Sequence, residues 1–336
     1  MVIINSYLTA VILLFITMIC WGSWANTQKL ASKSWPFQLF YWDYTIGVVL
    51  MSLLFAITMG SFGVEGRSFL LDISQGSYEN ILSAFVGGVV FNIANLLLVA
   101  AIDIAGMAVA FPIGIGIALV WGVVVNYLYD PIGNPVILFI GVGLVVVAII
   151  IDAIAYKRLP SQSGNTSTKG ILISIVAGIA MGFFYRFVAA SMTENFADPE
   201  IGKFTPYTAV FIFSIGIFIS NFLWNTIFMY KPFKGAPVSY NDYFSLGTSK
   251  LHLIGILGGA IWCVGMSFSI IASEQAGFAI SYGLGQGATM VAAAWGVYIW
   301  KEFKDADAST KKLIPLMFLS FIIGLSLIIL SRIIAS

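Results

Sequence analysis

The hydrophobic and polar positions divide the chain into ten apolar runs, at 7–26, 38–59, 80–101, 105–127, 134–155, 169–191, 206–229, 251–272, 278–299 and 313–334. Each is close to the roughly 20 residues a helix needs to cross the bilayer core. Strict alternation over ten residues, the mark of a membrane barrel strand, does not recur. The pattern predicts an all-α polytopic membrane protein of ten transmembrane helices. Most connections are short. Segments 60–79, 192–205 and 230–250 carry the Gly, Pro, Ser and Asn punctuation of longer loops. The first run lacks a basic flank and an Ala-x-Ala step, so it reads as a membrane helix and not as a cleaved leader.

Composition agrees. Hydrophobic residues make up 60% of the chain and charged ones 9%, against about a quarter charged in a soluble domain. Mean hydropathy is +0.97. Such a chain cannot cover itself for water, so the lipid bilayer is its expected solvent. A net charge of +1 with no basic block makes nucleic acid an unsuitable partner. Cys20 and Cys263 lie in apolar runs and suggest neither a disulfide nor a metal site.

The few charges have a direction. The odd-numbered loops hold Lys29, Lys33, Lys157, Arg158, Lys169, Lys231, Lys234, Lys250, Lys301, Lys304, Lys311 and Lys312. The termini and even-numbered loops hold only Arg67, Lys203 and Arg332. Positive charge marks the cytoplasmic side, so the protein is expected in the inner (plasma) membrane with both termini outside. The Asn165-Thr-Ser acceptor then falls in the cytoplasm and carries no glycan.

An internal repeat gives this count a mechanism. With an offset of 171, residues 87–116 align without a gap on 258–287, and eight of thirty positions are identical. Gly87-Gly88 meets Gly258-Gly259, Gly106 meets Gly277, and Gly114 and Gly116 meet Gly285 and Gly287. Asp103 meets Glu274, Phe91 meets Trp262, and Phe111 meets Tyr282. Five spans per copy force the second copy to enter the membrane upside down. The expected organisation is a first five-helix repeat at 1–156, a short cytoplasmic linker at 157–168 and an inverted repeat at 169–336. Inverted repeats are a signature of secondary transporters, with substrate near the midplane.

Catalytic and metal motifs are absent, no cofactor is implied, and His252, the sole histidine, sits at a helix entrance. Charges in or beside spans are functional candidates by default. Lys29, Asp43, Asp103, Arg186 and Glu274 are therefore candidates for proton coupling or gating. Inversion would set Lys29 and Asp43 at the inner mouth and Arg186 and Glu274 at the outer one. The plainer reading makes Asp103 and Glu274 caps of the helices that follow. Candidates for the substrate cavity are Trp21, Trp24, Asn26, Asn92, Asn95, Phe111, Tyr185, Trp262, Tyr282 and Gln286. Rings beside amides suit a flat, neutral, hydrogen-bonding solute, and they also suit the C–H faces of a sugar. The plainer role for the glycines and asparagines is helix packing.

The chain also resembles the ureide permeases and neighbouring bacterial glucose/ribose porters of the drug/metabolite transporter superfamily. The resemblance rests on "YWDYTIGV" (41–48), "GMAVAFPIGIG" (106–116), "NYLYDPIGNP" (126–135), "TPYTAVFIFSIG" (205–216) and "QAGFAISYGLGQG" (275–287). It implies ten helices with outward termini, and import of a small neutral metabolite of the nucleobase or ureide class with protons. A monosaccharide such as glucose, ribose or rhamnose is the alternative substrate for a proton symporter, and drug or metabolite export is a second alternative. The central segment "YKRLPSQSGNTSTKG" (156–170) is short, whereas the plant ureide permeases have a large loop with a nucleotide-binding-like motif.

Overall fold

The computed structural model describes residues 1–31, 35–159, 167–233 and 235–335. Lys33, Lys234, Asn165 and most of the expected linker 157–168 lie outside them. The described chain is helical, with a single isolated bridge between Met192 and Phe204. In order the helices are α1 (Tyr7–Ser23), α2 (Ala25–Ala31), α3 (Phe37–Ile57), α4 (Phe69–Gln75), α5 (Tyr78–Ala105), α6 (Met107–Tyr129) and α7 (Pro135–Lys157). There follow α8 (Thr168–Ser191), α9 (Pro206–Tyr230), α10 (Tyr240–Leu246), α11 (Ser249–Ala276), α12 (Phe278–Gly285), α13 (Ala288–Ala294), a π turn (Trp295–Ile299) and α14 (Ala308–Ala335). Their starts follow local chemistry. Ser6 and Asn134 accept from the backbone of Thr9 and Ile137, and Pro135 and Pro206 occupy first turns where a missing N–H costs nothing.

Among the described residues, nine helices are long and apolar enough to cross a membrane. The segment expected as the tenth span, 278–299, is not among them and forms α12, α13 and the π turn. The ladder tightens where Gly287 and Thr289 donate to Leu284 and Gln286, three residues back. Glycine is a poor helix former, but Gly114 and Gly116 leave α6 unbroken at the matching positions. The two copies differ at the residue between these glycines, which is Ile115 in the first and the polar Gln286 in the second.

The bounds also correct the ends of two spans. α5 and α11 run to Ala105 and Ala276, so Asp103 and Glu274 sit in last turns and not at the N-cap positions of the helices that follow. The following helices are capped by Gly106 (φ 80, ψ 153) and Gly277 (φ 84, ψ 150), with no side-chain cap bond. A side chain would be strained there, because only glycine adopts this backbone region readily.

The chain forms two compact units, one of residues 1–92 and 184–275, the other of 93–183 and 276–336. Neither coincides with a sequence half. In the first unit, α3 packs on α9 through a Ser52–Ser214 hydroxyl pair at 2.7 Å and an Asn225 amide that donates to the Gln38 carbonyl at 2.8 Å. Backbones meet at glycines. A Cβ at Gly259 would overlap the Tyr44 carbonyl, and one at Gly88 would overlap that of Phe213. Segments 60–79 and 192–205, expected as loops, fold together in this unit around α4. Arg67 pairs with Asp72 at 3.3 Å and donates to the Pro199 and Glu200 carbonyls. Asp72 accepts from the Thr205 backbone and hydroxyl at 2.8 and 2.9 Å. In the second unit α7 and α14 pack closely, with Gly141 and Gly324 each facing the other's carbonyl. Small residues at helix crossings are what lipid demands, since apolar burial alone brings no two helices together there.

Candidate functional site

The first unit contains a cluster of rings from four helices. Trp21 of α1 stacks on Trp262 of α11, with centroids 5.9 Å apart and planes at 12°, and its indole N–H donates to the Trp262 carbonyl at 3.2 Å. Trp24, just beyond α1, lies 4.9 Å from Tyr44 of α3, which in turn faces Trp262 at 6.3 Å and Tyr41 at 5.2 Å. Phe91 of α5 is 4.4 Å from Trp262. The alignment of the two copies had matched Phe91 and Trp262, and in the structure they touch.

The buried polar atoms of this unit with no hydrogen-bond partner among the described residues include Asn221 Oδ1 and Nδ2 and Asn225 Oδ1 of α9, and, at and beside the ring cluster, the Tyr44 hydroxyl and Asn92 Oδ1. The Tyr44 and Asn92 side chains are fully buried. The Asn92 amide nitrogen donates to the Ser220 hydroxyl at 2.9 Å and the Ile217 carbonyl at 3.2 Å. Those bonds fix the amide's orientation and leave its oxygen as an acceptor. Buried polar groups are normally satisfied, because an unmade bond costs about 1–3 kcal/mol. The Tyr44 hydroxyl and Asn92 Oδ1 are each an acceptor for an N–H or O–H donor.

The other predicted cavity residues divide. Tyr185 is fully buried in the same unit, where its hydroxyl meets the Ser269 hydroxyl at 2.9 Å and carbonyl at 3.1 Å. Asn26 donates to the carbonyl of Ser23, three residues back in the chain. Asn95, Phe111, Tyr282 and Gln286 belong to the second unit. There the Tyr282 hydroxyl donates to the Ala118 and Met181 carbonyls, at 3.1 and 3.2 Å, and its ring lies against Gly122. That is a packing role.

Among the charged candidates, Asp43 is 1% exposed. It accepts from the Tyr243 hydroxyl and meets His252 Nδ1 at 2.9 and 3.1 Å. Glu274 accepts from the Phe196 backbone N–H at 2.8 Å and so tethers segment 192–205. Lys29 and Asp103 are exposed, and Arg186 is half-buried in α8. Sequence reasoning missed Tyr44, which reads as one aromatic among several in "FYWDYT". It also missed His252 and Tyr243 as partners of Asp43. They lie 209 and 200 residues from Asp43 along the chain, and no local pattern links them.

The ureide permease family model matches residues 40–166 and 157–331 of the chain. Ureide permease 1 of Arabidopsis thaliana is 24% identical over 383 aligned positions, covering 96% of this chain and 96% of that protein. A protein of Latilactobacillus sakei subsp. sakei (strain 23K) named for ribose uptake is 24% identical over 295 positions, with 85% of each covered. One protein crystal structure superposes with a TM-score of 0.60 at 12% identity, across 98% of this chain and 99% of that one, a likeness of fold alone.

Proposed function

Because the chain belongs to the ureide permease family, we propose that it is a secondary transporter working by alternating access. It imports a small, neutral, polar metabolite of the nucleobase or ureide class together with protons. The observation that carries the substrate class is the ring cluster of the first unit, with the Tyr44 hydroxyl inside it and Asn92 Oδ1, one residue after Phe91 in α5, both without a partner among the described residues. Flat solutes stack on Trp21, Trp24 and Trp262, and a urea or lactam edge brings N–H donors to Asn92 Oδ1 and the Tyr44 hydroxyl. Monosaccharides are the second reading, favoured by the relative named for ribose uptake. Their hydroxyls meet the same acceptors, but their puckered faces stack less completely than a planar ring.

The transport mechanism rests on ten crossings arranged as two inverted five-helix copies, the tenth crossing being the broken segment 278–299. Three observations support it. The offset of 171 carries α5 (78–105) onto α11 (249–276) at both ends. Gly106 and Gly277 share one unusual backbone conformation at matching positions. Phe91 and Trp262, equivalent in the two copies, are in contact, as residues beside the axis relating the copies must be. An inverted pair has two near-equivalent packings, which is the physical basis of exchanging inward and outward openings. The excess of Lys and Arg in the odd-numbered loops sets both termini outside.

Uptake of labelled allantoin, uracil and ribose into proteoliposomes, with and without an inward proton gradient, tests this reading. Saturable allantoin or uracil uptake that the gradient stimulates is expected. Ribose uptake with no uptake of the other two moves the assignment to sugars, and no uptake of any of them removes it.

A further inference from the structure

Asp43 lies in the second turn of an apolar helix, and a charge there must be paired. Its partner is the only histidine of the chain. Three elements of the first unit converge on the pair. α3 supplies Asp43, α11 supplies His252, and the short α10 supplies Tyr243, whose hydroxyl donates to Asp43 Oδ1. The Trp35 ring stands edge-on to the imidazole with centroids 5.3 Å apart, and that of Tyr243 is 4.8 Å away. Tyr243 is the titratable group facing the pair from α10, and Trp35, facing it from the segment before α3, carries no charge. Burial, and then the bond to Asp43, hold the Tyr243 phenol above its ordinary range, so it stays a donor.

Two glycines make room for the arrangement. A Cβ at Gly255 would overlap Asp43 Cβ, and one at Gly247 would overlap His252 Nε2. With Nδ1–H given to Asp43, the neutral imidazole keeps its lone pair on Nε2. The His252 side chain is 27% exposed while that of Asp43 is 1% exposed, so the pair is reached through the imidazole.

On the reading that transport is proton-coupled, we propose that the Asp43–His252 pair is the site that takes the coupling proton. The proton adds from water to Nε2, and an imidazolium–carboxylate pair results. It leaves from the same atom to water on the other side, and no other bond is made or lost. The imidazolium–carboxylate pair ties α3 to α11 more firmly than the neutral imidazole does, so that link is the one that loosens when the proton departs.

The test is uptake of labelled allantoin and uracil into proteoliposomes of wild type, His252→Gln and Gly247→Ala. The readout is the stimulation by an inward proton gradient, taken as a ratio within each protein so that differing folded amounts cancel. Loss of stimulation is expected in H252Q. The same loss is expected in G247A, which keeps the histidine but displaces its ring and carries the test where H252Q does not fold. Wild-type stimulation that persists undiminished in H252Q removes this assignment and leaves the transport reading standing. A wild type that takes up neither probe removes the transport reading and this assignment with it.

Discussion

Replacing Tyr44 with Phe separates a ligand-binding hydroxyl from a structural one. The ring packs against Trp24, Tyr41 and Trp262, and Phe keeps those contacts. The hydroxyl is fully buried and has no partner among the described residues. Deleting it relieves an unmet desolvation cost of about 1–3 kcal/mol. An unfolding entropy of about 2.1 cal/mol/K per residue over 336 residues makes each kcal/mol worth about 1.5 °C in Tm. The ligand-free variant should therefore melt about 1.5–4 °C higher than wild type. If the hydroxyl serves the substrate, the variant loses one hydrogen bond to it, about 0.5–1.5 kcal/mol or two- to twelvefold in affinity. Thermal melts of the detergent-purified protein, with and without allantoin or uracil, read both effects. A ligand-free Tm below that of wild type would show that the hydroxyl has a structural partner. A raised Tm with undiminished ligand-induced stabilisation would take Tyr44 out of the binding site.

Gly259→Ala and Gly88→Ala each set a methyl against a backbone carbonyl, which cannot rotate away. Both should lower Tm by an amount matching about 1–3 kcal/mol of overpacking, while Gly143→Ala, with nothing within 4 Å, leaves Tm unchanged or higher. Equal melts for all three would mean that these helix crossings are not close-packed. Burial holds the Asp72 carboxyl above its ordinary value, against the pull of its bonds to Thr208 and Thr205 and of Arg67. The folded chain then keeps a proton that the unfolded chain has released, so unfolding free energy falls as pH rises through that acid window and levels off above it. Asp72→Asn should flatten this part of the Tm-against-pH profile, and an unchanged slope would assign the dependence to another group.

Much of this protein follows from the linear chain. Ten apolar runs, the bias of Lys and Arg and the echo of 87–116 in 258–287 are local or periodic features. Lipid reads them directly, since any run of that length must become a helix that satisfies its own backbone. The Gly106 and Gly277 caps were legible too, as repeated glycines, although the acids beside them drew the capping assignment. Tertiary structure decided the rest. That 278–299 divides into α12, α13 and a π turn is not legible in its mean hydropathy. Trp24 and Trp262 meet Tyr44, and Trp21 stacks on Trp262, while the Tyr282 hydroxyl bonds backbone carbonyls in the other unit, and no spacing separates these aromatics. Asp43 finds His252 and Tyr243 from 200 residues away because helix packing, not sequence distance, decides which buried charge reaches a partner.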